Sequence, residues 1–217
     1  MDYLYPALAV IAAYLMGSLS FAVIVSRLMG LNDPRSYGSK NPGATNVLRS
    51  GSKPAAVLTL LLDGLKGWLP MALVGWFGKD YGLREGTLAL VGLAAFIGHL
   101  YPVFFRFQGG KGVATAAGVL FGVHWVLGLA TLATWATVAF FSRYSSLASL
   151  ACALFAPWYY LVGDRAFWYV DKTMALAIVV MSAFLVFRHR ENINKLLKGK
   201  ESRLGSRSQA GPDATKR

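Results

Sequence analysis

Residues 113–141 read VATAAGVLFGVHWVLGLATLATWATVAFF, an uncharged run that is long for one membrane helix and short for two. Taken as one tilted helix, it places the chain's last polar stretch across the bilayer from the earlier ones. Taken as two helices turning near Gly122-Val123-His124-Trp125, it places every major polar stretch on one side and makes seven crossings. Lys and Arg, which gather on the cytoplasmic side of membrane proteins, decide between the two. With two helices, Lys79, Arg84, Arg165 and Lys172 lie outside, offset by Asp80, Glu85, Asp164 and Asp171. Lys66 falls within a helix, and the rest of the 22 Lys and Arg lie inside. The expected fold is therefore all-α: a polytopic membrane protein of seven transmembrane helices, N-terminus out and C-terminus in. Each half of 113–141 falls short of a normal span, so thinning or partial re-entrance is expected there. Gly118 and Gly122 have the spacing of close helix packing.

The remainder of the chain fits a membrane setting. Of its 217 residues, 55% are hydrophobic and 15% charged, with a mean hydropathy of +0.47, whereas about a quarter of a soluble domain is charged. Further apolar runs occupy roughly residues 3–26, 55–77, 86–105, 146–162 and 173–188. The first lacks a cationic start and is followed by several more, so it reads as a retained helix, not a signal peptide. The net charge of +12 is that of loops facing anionic headgroups, and no nucleic acid partner is expected. Cys152, the single cysteine, has no partner for an intramolecular disulfide and reads as core packing. Residues 1–198 are expected to form one transmembrane domain. Residues 199–217, rich in Ser, Gly, Lys and Arg without apolar periodicity, are expected to form a disordered basic cytoplasmic tail.

Three polar stretches carry the chemistry. In the first, Gly38 to Asn46, Asn41-Pro42-Gly43-Ala44 fits a type II turn, with Pro42 supplying the fixed φ and Gly43 the positive one. Ser39, Lys40, Thr45, Asn46 and Arg49 surround it, a dense donor set suited to an anion; an ordinary solvated loop is the alternative. The second, Phe107-Gln108-Gly109-Gly110-Lys111-Gly112, is a glycine loop opening a helix. It is not a nucleotide P-loop, because Gly112 follows Lys111 and Phe105 stands where the first glycine is required. Gly109, Gly110 and Gly112 still admit an oxyanion close to the backbone, and Lys111 adds charge at a helix N-terminus; a tight turn with one loop lysine is the alternative. His99, just upstream, taken alone reads as packing.

In the third stretch the last helix is expected to continue into the cytoplasm. His189 and Asn192 are three apart, and Arg188 and Asn192 four, so they share a face. That face suits a phosphorylated substrate, or an interfacial anchor together with Arg190, Lys195 and Lys198. Asp63 and Lys66 lie deep in the second apolar run, where ionisable groups are costly; they form either a functional pair or a structural ion pair. The sequence has no Cys/His or HExxH metal signature, no GxSxG elbow and no paired carboxylates, so neither metal hydrolysis nor a nucleophilic triad has support.

Together these stretches closely resemble the three motifs of the bacterial PlsY family, the acyl-phosphate:glycerol-3-phosphate acyltransferases. The matching segments are Gly38 to Arg49; Gly98-His99-Leu100-Tyr101-Pro102-Val103-Phe104 with Gly109 to Thr115; and Arg188-His189, Asn192-Ile193, Gly199 and Glu201. The hydrophobic layout matches over essentially the whole chain. The resemblance implies a seven-helix enzyme of phospholipid biosynthesis in the bacterial inner membrane, with its active site on the cytoplasmic face. It would transfer a fatty acyl group from acyl phosphate to the 1-hydroxyl of glycerol 3-phosphate, giving lysophosphatidic acid and phosphate, with no cofactor or metal. The implied partners are those two substrates, membrane lipids and, by functional coupling, an acyl-phosphate-producing enzyme. On the same resemblance the catalytic set is Ser39, Arg49, Lys111, His189 and Asn192. Gly38, Asn41, Gly43, Thr45, Asn46, His99, Gly109, Gly110 and Gly112 bind substrate, and Glu201 is structural. Ser39 is a hydrogen-bond donor or a nucleophile, and the proton goes to His189 or to the substrate's phosphate. An acyl phosphate is already activated, which favours direct transfer. An anion transporter, the main rival, would distribute polar residues through its helices and show a pseudo-repeat, and a membrane scaffold would leave the motif clustering unexplained.

Overall fold

In a computed structural model that describes residues 3–204, the chain is built from helices, with no β-strand among those residues. Of the expected tail, residues 205–217 lie outside the described residues. The first apolar run forms α1 (Leu4–Gly17) and α2 (Phe21–Leu28), bent by 45° at the buried Ser18 and Ser20. The short α3 (Ala44–Leu48) lies in the first polar stretch and leads to α4 (Lys53–Phe77) and α5 (Glu85–Leu100). Then come α6 (Val113–Val123), α7 (Trp125–Ser142), α8 (Ser145–Val162), α9 (Lys172–Arg188) and α10 (Arg190–Leu197), with α10 set at 55° to α9.

The run 113–141 is two helices. His124, in extended backbone (φ −162°, ψ 135°), ends α6 and starts α7, its Nδ1 accepting the Val126 N–H at 3.3 Å. Only one half is short. α7, with 18 residues, is long and apolar enough to cross a membrane, whereas α6 has 11 and at 1.5 Å per residue covers about half of a ~30 Å hydrocarbon layer. Among the described residues, four helices are long and apolar enough to cross a membrane, or six spans if each bent pair counts as one.

Backbone-to-backbone contact with α4 holds the short α6 in place. A Cβ on Gly118 would lie 2.0 Å from the Gly64 carbonyl oxygen, and one on Gly67 would lie 2.2 Å from that of Thr115. α1 meets α5 in the same way, through Gly17 against Ala95 and Gly98 against Tyr14. Small residues at such crossings let dispersion act between whole helices, the main attraction available where lipid is as apolar as the helix surface.

The bend in the first run has its own fixture. Val23 N–H bonds to Ser20 O instead of reaching back to Leu19 O, so the Leu19 carbonyl lacks its helical partner. Lys66 Nζ supplies one, donating to it at 2.6 Å while lying 2.8 Å from Asp63 Oδ1. Asp63 and Lys66 are each 2% exposed. The deep pair thus closes the break between α1 and α2 from α4. Removing one member of a buried pair strands the other charge at a cost of about 3–5 kcal/mol. Asp63→Asn should therefore lower the thermal midpoint of the detergent-solubilised protein sharply, and adding Lys66→Met should recover part of the loss.

Candidate active site

The three polar stretches meet at one end of a cavity of about 250 Å³. Ser39, Asn41, Gly43, Thr45, Asn46, Arg49, His99, Lys111, Gly112, His189 and Asn192 line it, and its far part runs between apolar side chains including Leu120, Trp135, Ala156 and Ile178. Gly38, Gly109 and Gly110 are absent from the wall and shape the loops behind it.

In the first stretch the positive φ values fall at Gly38 (+58°) and Lys40 (+56°), not at Gly43. Gly43 is extended (φ −162°, ψ 161°), and its carbonyl accepts from Asn46 N–H and Val47 N–H at 2.9 and 3.0 Å. The expected type II turn is therefore absent: Gly43 serves as the start of α3, a role that demands extended backbone. Asn46, 2% exposed, donates its amide to Pro34 O at 2.6 Å and Tyr37 O at 3.2 Å, and its Oδ1 accepts the Ser39 N–H at 3.0 Å. Its side chain is committed to the loop that presents Ser39. A Cβ on Gly38 would lie 2.4 Å from Asn46 Oδ1, so only glycine lets the loop close over this asparagine.

The glycine loop is pressed between the other two stretches. A Cβ on Gly110 would lie 2.2 Å from His99 Nε2 and 2.8 Å from Pro42 O, and one on Gly109 would lie 2.1 Å from His99 O. His99 is buried, with Nδ1 3.7 Å from Asp63 Oδ1 and its carbonyl accepting the Gly110 N–H at 3.1 Å. Gly112 (φ +85°) precedes α6, whose first-turn N–H groups have no partners within the helix. Lys111 Nζ donates to Asn192 Oδ1. Burial brings the Lys111 ammonium down to about 8, while the charges of Glu201 and Glu191 work against that fall.

The last helix does not continue straight. It breaks at His189, which ends α9 and begins α10, and the 55° bend puts Asn192 within reach of Lys111. His189 Nδ1 lies 2.8 Å from Leu185 O. A carbonyl only accepts, so Nδ1 carries the proton and Nε2 the lone pair. Burial, followed by the Lys111 charge, pushes the imidazole down to about 4, leaving it neutral near pH 7. Asn192 Nδ2 donates to Glu201 Oε1 at 2.6 Å, and Ser146 Oγ donates to the same oxygen at 2.8 Å. Residues 199–204 thus turn back onto the site, with Leu204 N–H donating to Arg143 O at 2.7 Å. Ser146, on α8, is a residue that sequence reasoning misses, since a helix-start serine carries no motif. Arg188 donates to the carbonyls of Gly109 and Gly110.

This geometry concentrates a lysine, an arginine, free helix N–H groups and a neutral histidine at the mouth of an apolar cavity. The sequence model of a family described as glycerol-3-phosphate acyltransferase matches residues 7–199. The chain belongs to that family. A glycerol-3-phosphate acyltransferase of Albidiferax ferrireducens is 64% identical over 209 residues, covering 96% of this chain and 93% of the relative. One of Paraburkholderia xenovorans is 62% identical over 200 residues, covering 92% and 91%. Among solved structures, the glycerol 3-phosphate form of PlsY, described as an integral membrane glycerol 3-phosphate acyltransferase, aligns with a TM-score of 0.84 at 40% identity, covering 93% of this chain and 96% of that one. Its lysophosphatidic acid form aligns with a TM-score of 0.82 at 39% identity. The PlsY-like motifs and the all-helical membrane fold expected from the sequence are therefore those of the family.

The titration of Lys111 gives a pH test. The ammonium is the charged form, so its pull on an anion is intact well below pH 8 and lost as pH rises through 8. Affinity of the purified acyltransferase for glycerol 3-phosphate, followed by titration calorimetry, should fall across that interval beyond the change seen in Lys111→Arg, whose guanidinium stays charged.

Proposed function

We propose that the chain transfers a fatty acyl group from acyl phosphate to the 1-hydroxyl of glycerol 3-phosphate, releasing lysophosphatidic acid and inorganic phosphate at the start of phospholipid biosynthesis. The observation that carries this reading is the meeting of two cations, Arg49 and Lys111, with the α6 N-terminus and His189 where a polar mouth opens into an apolar cavity. Both substrates are phosphates, which suits a site of cations and backbone donors. The relatives' names state the glycerol 3-phosphate side of the reaction. The choice of acyl phosphate as donor rests on the motif resemblance and on a constellation without a triad.

In this reaction the 1-hydroxyl oxygen attacks the acyl carbonyl, a tetrahedral intermediate forms, and the C–O bond to phosphate breaks. Holding both substrates against one wall turns a bimolecular encounter into a near-unimolecular step. Lys111 and the first-turn N–H groups of α6 hold glycerol phosphate. Arg49 and the Ser39 hydroxyl face the acyl phosphate and stabilise charge on the intermediate and the leaving group. The hydroxyl proton has two acceptors, His189 Nε2 and the departing phosphate, and no covalent acyl-enzyme is needed. Asn192, held by Glu201, sets the position of the Lys111 ammonium. The acyl chain occupies the apolar part of the cavity, where Ala153 and Ala156 on α8 leave room for it.

The same reading makes α6 a seventh, shortened span. It places the N-terminus outside, the site and C-terminus on the cytoplasmic face of the inner membrane, and 1–198 as the catalytic domain. Cysteines introduced at Lys40 and Lys198 should both be labelled by an impermeant thiol reagent from the cytoplasmic side only, and labelling from opposite sides would break the seven-span count. The function is tested with purified protein, palmitoyl phosphate and glycerol 3-phosphate. Lysophosphatidic acid should form without ATP, coenzyme A or added metal, and its absence with folded protein would refute the proposal. Lys111→Ala should raise KM for glycerol 3-phosphate by about tenfold or more, the loss of one charge-assisted contact.

A further inference from the structure

We infer that Arg188 is a positioning residue: it turns the Gly110–Lys111 peptide so that its N–H faces the substrate cavity. The inference rests on the reading of the glycine loop as the glycerol phosphate site. Arg188 ends α9, and its guanidinium lies over the Tyr101 ring, 5.8 Å from the centroid. From there it forks onto two carbonyls. Nη2 donates to Gly109 O and Gly110 O at 2.8 Å each, and Nε donates to Gly110 O at 3.1 Å.

In a trans peptide the N–H points opposite to the C=O, so each carbonyl captured by Arg188 sends an N–H the other way. The Gly109–Gly110 peptide shows this directly: its N–H donates to His99 O at 3.1 Å. The Gly110–Lys111 peptide shows the functional counterpart. Its carbonyl is on Arg188, and its N–H has no acceptor among the described residues, while Lys111 and Gly112 line the cavity. That N–H therefore joins those of Val113 and Ala114 in the first turn of α6. Without the fork, the glycine on its N-terminal side leaves this peptide free to rotate, and the N–H would no longer be held toward the incoming phosphate. Arg188 thus acts on the anion through the backbone. A lysine would keep the charge but could not span both carbonyls in one plane.

Titration calorimetry with glycerol 3-phosphate on purified wild type, Arg188→Lys and Lys111→Ala separates the possibilities. Arg188→Lys should weaken binding about tenfold or more despite its unchanged charge, raise KM for glycerol 3-phosphate in parallel, and leave kcat at saturation far less affected. Wild-type affinity in Arg188→Lys, with a loss in Lys111→Ala, would overturn the positioning role while leaving the loop as the phosphate site. Wild-type affinity in both would overturn the loop reading itself, and the inference with it. Should Arg188→Lys fail to fold, dipolar recoupling in wild-type protein between glycine carbonyl carbon-13 and arginine guanidinium nitrogen-15 decides. A Gly110–Arg188 contact at hydrogen-bonding range supports the fork, and its absence in the presence of glycerol 3-phosphate overturns it.

Discussion

A peptide group withdrawn from water must find its hydrogen bonds within the protein or offer them to a ligand, and at Gly109–Gly112 that requirement shapes the site. The loop is glycine because its backbone is squeezed against His99 O on one side and Pro42 O on another, leaving no room for a Cβ. The carbonyls of Gly109 and Gly110 are taken by Arg188, that of Gly112 by the Ala116 N–H, and the Gly110 N–H by His99 O. What is left over are N–H groups at the start of α6, facing a cavity with Arg49 and Lys111 in its wall. On the proposed reading, these unpaired N–H groups are what the loop offers to a substrate phosphate.

That remainder stays in place because α6 cannot slide. Its glycines interlock with those of α4 at backbone contact, and α4 is in turn tied to the broken first run by Lys66 on Leu19 O. Asp63 belongs to the same chain of contacts, pairing with Lys66 and facing His99, whose ring and carbonyl border Gly110. A deep ion pair that would be a liability in isolation here fixes the relative depth of three helices. From the other side, the bend at His189 carries Asn192 to Lys111, and Glu201 ties Asn192 to Ser146 on α8.

Much of this was legible in the sequence because it follows from local chemistry. Charge bias alone split residues 113–141, and the structure breaks them at His124, inside the four residues named. Gly118 betrayed its helix contact by spacing. The three polar stretches stood out since Ser, Asn, Thr and glycine so close together between apolar runs have no packing rationale. What escaped depends on tertiary partners. The bend after Gly17 is stable because Lys66, far along the chain, satisfies Leu19 O. The break at His189 exchanges a straight helix for the contact between Asn192 and Lys111. Gly43 could equally have served a turn or a helix start, and Asn46, in the cavity wall, also holds the loop through Pro34 O, Tyr37 O and the Ser39 N–H. Arg188 looked like a ligand for substrate phosphate; its two carbonyl partners lie on a loop whose position no helical spacing specifies.

On the proposed reading, glycerol 3-phosphate sits with its phosphate on the N–H groups that open α6. Phosphorus-31 to nitrogen-15 dipolar recoupling, on membrane-reconstituted protein labelled at the Lys111, Val113 and Ala114 amides, measures it directly. Bound glycerol 3-phosphate should strongly dephase these amides, at hydrogen-bonding distance, with no dephasing without ligand. Saturating ligand that leaves those amides undephased would place the phosphate elsewhere and contradict that reading.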